Sequence, residues 1–139
     1  MTTDAQKILD MIEKVDPADT QKLDEIDARV WCYMRGFVFE HADSNFVKAN
    51  GQLPHLGFSK YTRSRDALKS IRKHLQFDGV TRDNRFDKSC GHFTAYFTVY
   101  IQDNNEELSK ALHGHGFTEE LAELHAIIQA IEYERKSHA

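Results

Sequence analysis

Apolar residues recur at every third or fourth position in several segments of the chain, which is the spacing of an amphipathic helix. The first segment places Ile8, Met11, Ile12 and Val15 on one side and ends before Pro17. The segment "QKLDEIDARVWCYMRG" follows, with Thr20 as its predicted N-cap and Gly36 as its stop. We therefore expect residues 1–35 to form an N-terminal helical hairpin.

The same spacing returns near the end of the chain, in "FTEELAELHAIIQAIEYERKS". Thr118 is the predicted N-cap, and Glu119 and Glu120 lie in the first turn, where negative charge favours a helix. A third helix is predicted in "KYTRSRDALKSIRKH", residues 60–74, with Thr62 or Ser64 as its cap. We call residues 60–74 the basic segment.

Strict alternation of apolar and polar residues marks one strand, "HFTAYFTVYIQ". One face carries Phe93, Ala95, Phe97, Val99 and Ile101, and the other carries Thr94, Tyr96, Thr98 and Tyr100. Shorter strands are predicted at 37–40 and 76–82, with a further one at 45–48. "HGHGF", residues 113–117, is interpreted as a flexible connection between helices.

These elements follow the order α-α-β-α-β-β-α, which predicts an α+β fold. We expect a small, mainly antiparallel sheet of three to four strands covered by helices, in an α/β/α sandwich-like arrangement. A length of 139 residues suits a single domain. Residues 1–35 would supply the helical hairpin, and residues 36–139 the sheet with the basic and C-terminal helices.

The composition is that of an ordinary globular protein, with 40% hydrophobic and 29% charged residues. The chain has no apolar run near the ~20 residues that span a bilayer, and its start lacks a secretory signal pattern. We therefore expect a cytoplasmic protein without membrane contact. Cys32 and Cys90 show no metal-binding spacing and are interpreted as reduced thiols.

The net charge of −4 conceals a segregation of charge along the chain. Residues 1–35 hold eight acids and five bases, the basic segment holds six bases and one acid, and residues 104–134 hold seven acids and one base. The basic segment is either a docking surface for a negatively charged partner or a solvated helix face paired with the acidic C-terminal helix.

Two groups of side chains are candidates for partner binding. The basic segment offers Lys60, Tyr61, Arg63, Arg65, Lys69, Arg72 and Lys73. The polar face of the predicted strand offers Tyr96 and Tyr100, since tyrosines give large contact areas with polar tips. The alternative for both tyrosines is that a second helix layer covers them.

Catalytic and metal-binding patterns are weaker. His113, His115 and His125 have a loose spacing that allows a zinc site, but "HGHGF" also fits a simple connection. Turn formation explains Asp78, Asp83 and Asp87 better than a cation loop does. With no nucleophile elbow, P-loop or HExxH sequence, the chain is predicted to be neither an enzyme nor a cofactor-binding protein.

Three segments, "LDEIDARVWCYMRG", "YTRSRDALKSIR" and "TEELAELHAIIQAIEYER", resemble small proteins of tailed phages and prophages of the phage ABA sandwich domain type. The resemblance covers about residues 20–136. It implies a three-layer α/β/α arrangement and a phage or prophage origin, and it supplies no catalytic residues. Those proteins often carry a Trp-rich strand after the middle helix, where this chain has "QFDGVTRDNRF".

The resulting hypothesis is a non-enzymatic phage or prophage accessory protein that binds a host protein, such as a component of an antiviral defence system, and inhibits it by occlusion. The alternative is a nucleic-acid or nucleotide binder that uses the basic segment. A histidine-dependent metal site is the third hypothesis. A homodimer through the N-terminal helical hairpin is a further expectation, because a terminal two-helix unit often has an apolar edge to cover.

Overall fold

Four helices and five strands are present in the computed structural model, which describes residues 3–36, 39–42, 46–49, 59–72, 79–89, 91–103 and 106–137. The helices are α1 (Thr3–Lys14), α2 (Thr20–Arg35), α3 (Arg65–Arg72) and α4 (Glu119–Ser137). The strands are β1 (Phe39–Ala42), β2 (Phe46–Ala49), β3 (Gly79–Asp87), β4 (His92–Asp103) and β5 (Glu106–Gly116).

The main sheet is antiparallel, with β4 in the centre between β3 and β5. Phe93 of β4 lies opposite Phe86 on one side and Gly116 on the other, so one register crosses all three strands. An irregularity between Thr81 and Asp83 interrupts the pairing of β3. The strands β1 and β2 form a separate antiparallel pair.

Helices pack on the sheet, which confirms the predicted α+β class. The helix α4 contacts all three strands as well as α1 and α3. Its apolar side chains join those of the other helices and of β4 in one buried cluster. That cluster includes Ile8, Ile12, Leu23, Ile26, Val30, Leu68, Phe97, Leu121, Leu124, Ile127 and Ile128. The apolar stripe of α1 is therefore buried within the chain's own core.

The helix caps agree with two of the three predictions. Thr118 caps α4 through its hydroxyl, which accepts a hydrogen bond from the Leu121 amide at 3.1 Å. Ser64 rather than Thr62 precedes α3, and its hydroxyl accepts from the Ala67 amide. The predicted cap Thr20 is wrong, because Asp19 holds the N-cap position of α2 and its carboxylate accepts from the Lys22 amide.

The connection predicted at residues 113–117 is also wrong, since His113 to Gly116 form the end of β5. The sheet therefore has a third strand that the sequence interpretation omitted. The glycines allow α4 to pack closely on β5, because a Cβ atom on Gly114 would lie 2.1 Å from the Ala122 carbonyl oxygen of α4. The strands predicted at 37–40 and 45–48 are present as β1 and β2, shifted by one or two residues.

No helix in the described part of the chain is both long enough and apolar enough to span a membrane. Cys32 is a buried free thiol, and burial raises its pKa. Cys90 lies outside the described residues, as do Lys73 and His74 of the basic segment.

Candidate functional site

Cations at the start of the basic segment form ion pairs with α2. The Arg63 guanidinium lies 2.6 Å from an Asp24 carboxylate oxygen and 2.8 Å from an Asp27 carboxylate oxygen. Lys60 Nζ lies 2.9 Å from the same oxygen of Asp24. The first turn of the segment is thereby attached to the acidic side of α2.

Cations further along the segment pair with α4. Arg65 forms ion pairs with Glu119 and Glu120 at the start of α4, and Arg72 Nη1 lies 3.2 Å from Glu123 Oε1. These contacts match the interpretation in which the basic segment is paired with the acidic C-terminal helix. The charge segregation seen in the sequence is thus largely neutralised within the fold.

The two aspartates of α2 differ in environment. Asp27 is 1% exposed and accepts hydrogen bonds from the Thr62 amide at 2.9 Å and from Arg63. Burial raises the pKa of Asp27 in spite of these hydrogen bonds. Asp24 is more exposed, and although partial burial opposes the shift, its hydrogen bonds from Lys60 and Arg63 lower its pKa.

The remaining residues of the basic segment are divided between core and solvent. Tyr61 is 6% exposed and belongs to the main apolar cluster. Lys69 is exposed on the outer side of α3. Of the seven candidates in the basic segment, Lys69 is therefore the exposed cation best suited to report on binding by this surface.

The face of β4 that carries Tyr96 is partly open. Ala95 and Phe97 are buried and face α4, whereas Thr94, Tyr96 and Thr98 on the opposite face are half-buried. His113 of β5 lies directly opposite Tyr96 and is exposed. The structure therefore places Tyr96 on a surface rather than in the core. Tyr100 lies on the same strand, but its side chain is outside the described residues.

Tyr96 is the centre of a small polar and aromatic group. Its ring meets the His113 ring edge-on, with 4.8 Å between centroids, and the Arg85 guanidinium of β3 lies 5.7 Å from the Tyr96 centroid. We call Arg85, Thr94, Tyr96 and His113 the tyrosine face. A tyrosine, an imidazole and a guanidinium on three adjacent strands offer stacking, hydrogen bonds and a positive charge to a partner.

The three histidines do not converge on one point. His115 and His125 approach each other, with 5.9 Å between ring centroids, while the His113 ring meets that of Tyr96 edge-on. Within the described residues, no three His, Cys, Asp or Glu side chains are placed to hold a metal ion. The hypothesis of a site formed by His113, His115 and His125 thus finds no preformed ligand set there.

His125 of α4 is 5% exposed and lies beside His115 of β5 and Glu13 of α1. Gln129 Nε2 donates to His125 Nδ1 at 2.9 Å, which places the proton of the neutral ring on Nε2. Nε2 lies 3.0 Å from Glu13 Oε1, although the two atoms lack hydrogen-bond alignment. Burial, together with the nearby His115, lowers the pKa of His125 to about 4.

The sequence interpretation did not identify the individual acidic partners or Arg85. Asp24, Asp27 and Glu123 carry no motif, and only the general excess of acids in the first and last helices pointed to them. Arg85 could have been associated with Tyr96 only through the strand register, which a single sequence does not contain.

Comparisons with known proteins give no relative. No family model matches the chain, and neither the curated proteins nor the solved structures yield a match. The resemblance to phage ABA sandwich proteins accordingly stays an expectation.

Proposed function

We propose that this protein acts by binding a protein partner through the tyrosine face. The observation that supports the proposal is the edge-on pair of Tyr96 and His113 on a partly open sheet surface, with Arg85 beside it. Tyrosine and arginine are enriched at protein interfaces because they combine apolar area with directional polar groups. The surface is built on three paired strands, so its side chains are held in register before a partner arrives.

The ion pairs of the basic segment favour a protein partner over nucleic acid. Four of its cations, Lys60, Arg63, Arg65 and Arg72, already contact carboxylates of α2 or α4. Phosphate binding depends on cations that release counterions when they meet the backbone of a nucleic acid. Cations neutralised within the fold supply less of this driving force, and the net charge of −4 adds repulsion.

The resemblance to phage and prophage proteins suggests a host protein as the partner. We therefore place this chain among accessory proteins that occlude a host component, such as part of an antiviral defence system. Occlusion needs a stable surface rather than a catalytic group, which is consistent with the use of Tyr96 and His113 as contact residues.

The experiment compares tagged wild-type protein with three variants in host lysate, with and without nuclease treatment. Tyr96→Ala and His113→Ala alter the tyrosine face, and Lys69→Ala is the matched control on the exposed side of α3. We expect wild type and Lys69→Ala to retain the same host protein in near-equal amounts, and Tyr96→Ala to retain it at least about 10-fold less, as expected for an interface anchor. Thermal unfolding verifies that each variant is folded.

Two outcomes would contradict the proposal. If Lys69→Ala loses the partner while Tyr96→Ala keeps it, the binding surface is the basic segment. If the wild type retains only nucleic acid, and nuclease removes it, the alternative function of nucleic-acid binding is correct.

A further inference from the structure

The strand β3 forms one edge of the three-stranded sheet, and among the described strands it pairs only with β4. Phe86 lies on this edge and is 51% exposed, the larger exposure of the two exposed large apolar side chains in the described residues. Its ring packs against that of Phe93 at a tilt, with 4.9 Å between the ring centroids, and so continues the apolar face of the sheet to the edge. An edge strand with an exposed apolar residue is a template for pairing with another strand.

The charges on either side of Phe86 indicate which strand would pair there. Arg85 and Asp87 are exposed, have opposite charges and project to the sheet face opposite Phe86. In an antiparallel pair of identical strands, a twofold axis at Phe86 places each Arg85 across from Asp87 of the partner subunit. The edge is therefore complementary to itself.

We propose that two copies of this chain pair through β3 in an antiparallel register centred on Phe86. The two Phe86 rings meet at the twofold axis, and Arg85 of each copy faces Asp87 of the partner subunit. The two three-stranded sheets join into one of six strands. This interaction goes beyond the proposed function and differs from a homodimer through the N-terminal hairpin, because the apolar stripe of α1 is buried within its own chain.

Neighbouring registers are less favourable. An axis at Arg85 would place the two arginines across from each other and Asp83 across from Asp87, so like charges would oppose each other at three positions. An axis at Asn84 would place Phe86 across from Arg82 and so would lose the contact between the two Phe86 rings. The register at Phe86 pairs residues 85–87, the last three of β3, which lie beyond the irregularity between Thr81 and Asp83.

The contact is small, so the dimer should be reversible. Stable interfaces bury about 800 Å² per partner, whereas here a short strand and one aromatic side chain from each copy meet. We expect dimers at about 100 µM protein and monomers on dilution to about 1 µM, as measured by sedimentation equilibrium.

Charge reversal tests the register. Arg85→Asp places two aspartates across from each other at each contact, and Asp87→Arg places two arginines there. Each variant alone should dimerise at least about 10-fold more weakly than wild type, and an equimolar mixture should recover a heterodimer, because every Asp of one copy then faces an Arg of the other. Dimers of either variant alone at wild-type strength, or no recovery on mixing two folded variants, would overturn the proposal.

A second test does not depend on Asp87, whose carboxylate accepts from the Ser89 amide at 2.9 Å in the turn. In Phe86→Cys, the axis brings two thiols close enough for a disulfide, because Cα atoms of directly opposed residues lie about 4.5–5.5 Å apart. The matched control is Phe117→Cys, since Phe117 is the other exposed phenylalanine, at 37%.

Mild oxidation at about 100 µM protein should convert Phe86→Cys to a covalent dimer on a non-reducing gel. Phe117→Cys and the wild type, which retains Cys32 and Cys90, should form no covalent dimer on that gel. Equal cross-linking of all three proteins, or none with Phe86→Cys, would overturn the register centred on Phe86.

Discussion

Gly114 of β5 lies against the backbone of α4 so closely that a Cβ atom on it would stand 2.1 Å from the carbonyl oxygen of Ala122. The same atom would lie 2.5 Å from the Ala126 amide nitrogen, and both contacts are with main-chain atoms that cannot rotate away. Across the sheet, Gly114 is paired with Ala95, which is fully buried. Small residues on both layers therefore set the distance between α4 and the sheet.

We predict that Gly114→Ala lowers the free energy of unfolding by about 3 kcal/mol, because the added methyl group must displace α4 from β5. Urea unfolding followed by circular dichroism measures the change. His113→Ala is the control, since His113 is the preceding residue on β5 but is exposed on the other face. An equal loss in both variants, or none in Gly114→Ala, would contradict the close approach.

We predict that His125 makes the fold less stable in mild acid. Its folded pKa of about 4 lies below its ordinary value of 6.5, so the unfolded chain takes up the proton first as pH falls. The part of the free energy of unfolding that depends on a neutral His125 ring is fully present above pH 6.5 and is lost progressively down to about pH 4. It amounts to about 3 kcal/mol. The charged groups around the ring that affect this titration are His115, His92, Asp10 and Glu13.

The measurement is urea unfolding at several pH values between 4 and 7. His125→Asn should reduce the dependence of stability on pH in this window. Both proteins carry the same carboxyl groups, so subtracting one free energy of unfolding from the other at each pH cancels their contribution. His113→Gln alters an exposed histidine and should leave the wild-type slope unchanged. A His125→Asn slope equal to that of wild type would show that His125 titrates normally in the fold.

We predict that Asp27→Ala destabilises the protein by about 3 kcal/mol, whereas Asp24→Ala costs less than about 1 kcal/mol. Both aspartates contact Arg63, but only Asp27 is buried and accepts the Thr62 amide. Loss of the Asp27 carboxylate leaves that buried amide without its acceptor. Thermal unfolding of the two variants at pH 7 tests the difference, and similar losses would assign the effect to charge alone.

We predict that Tyr33→Phe lowers the free energy of unfolding by about 1–3 kcal/mol. The Tyr33 hydroxyl of α2 donates to the Glu132 carboxylate of α4, and Glu132 is 3% exposed. Burial, followed by the Glu132 carboxylate, raises the pKa of Tyr33 well above its ordinary value, so the hydroxyl keeps its proton. Tyr96→Phe is the matched control in urea unfolding, and a larger loss there would contradict the prediction.

Periodicity predicted the helices and the central strand because their apolar residues face a single core. The alternation of β4 agrees with burial, since Ala95 and Phe97 are buried and Tyr96 is not. The strand β5 was missed because "EELSKALHGHG" contains helix-forming residues and ends in glycines that suggest a turn. Those glycines reflect the approach of α4, a tertiary contact that local propensity does not encode.

The candidate site was predictable in part. Tyr96 was identified from its place on the polar face of the strand, and the structure leaves it half-buried there. The acidic partners of Arg63 and Arg65 are 36 to 55 positions away in the sequence, so only the fold reveals them. Charge counts indicated that opposite charges were separated along the chain. The fold brings them together, because Arg63 contacts α2 and the helix α3 packs against α4.

The position of α4 in the sequence has a consequence for biosynthesis. This helix packs against α1, α3 and the sheet, yet it is made after all of them. On the ribosome, the earlier helices and the strands would display apolar surface until residues 119–137 emerge. Nascent chains halted before Glu119 should consequently bind holdase chaperones, and release should follow once the final helix is synthesised.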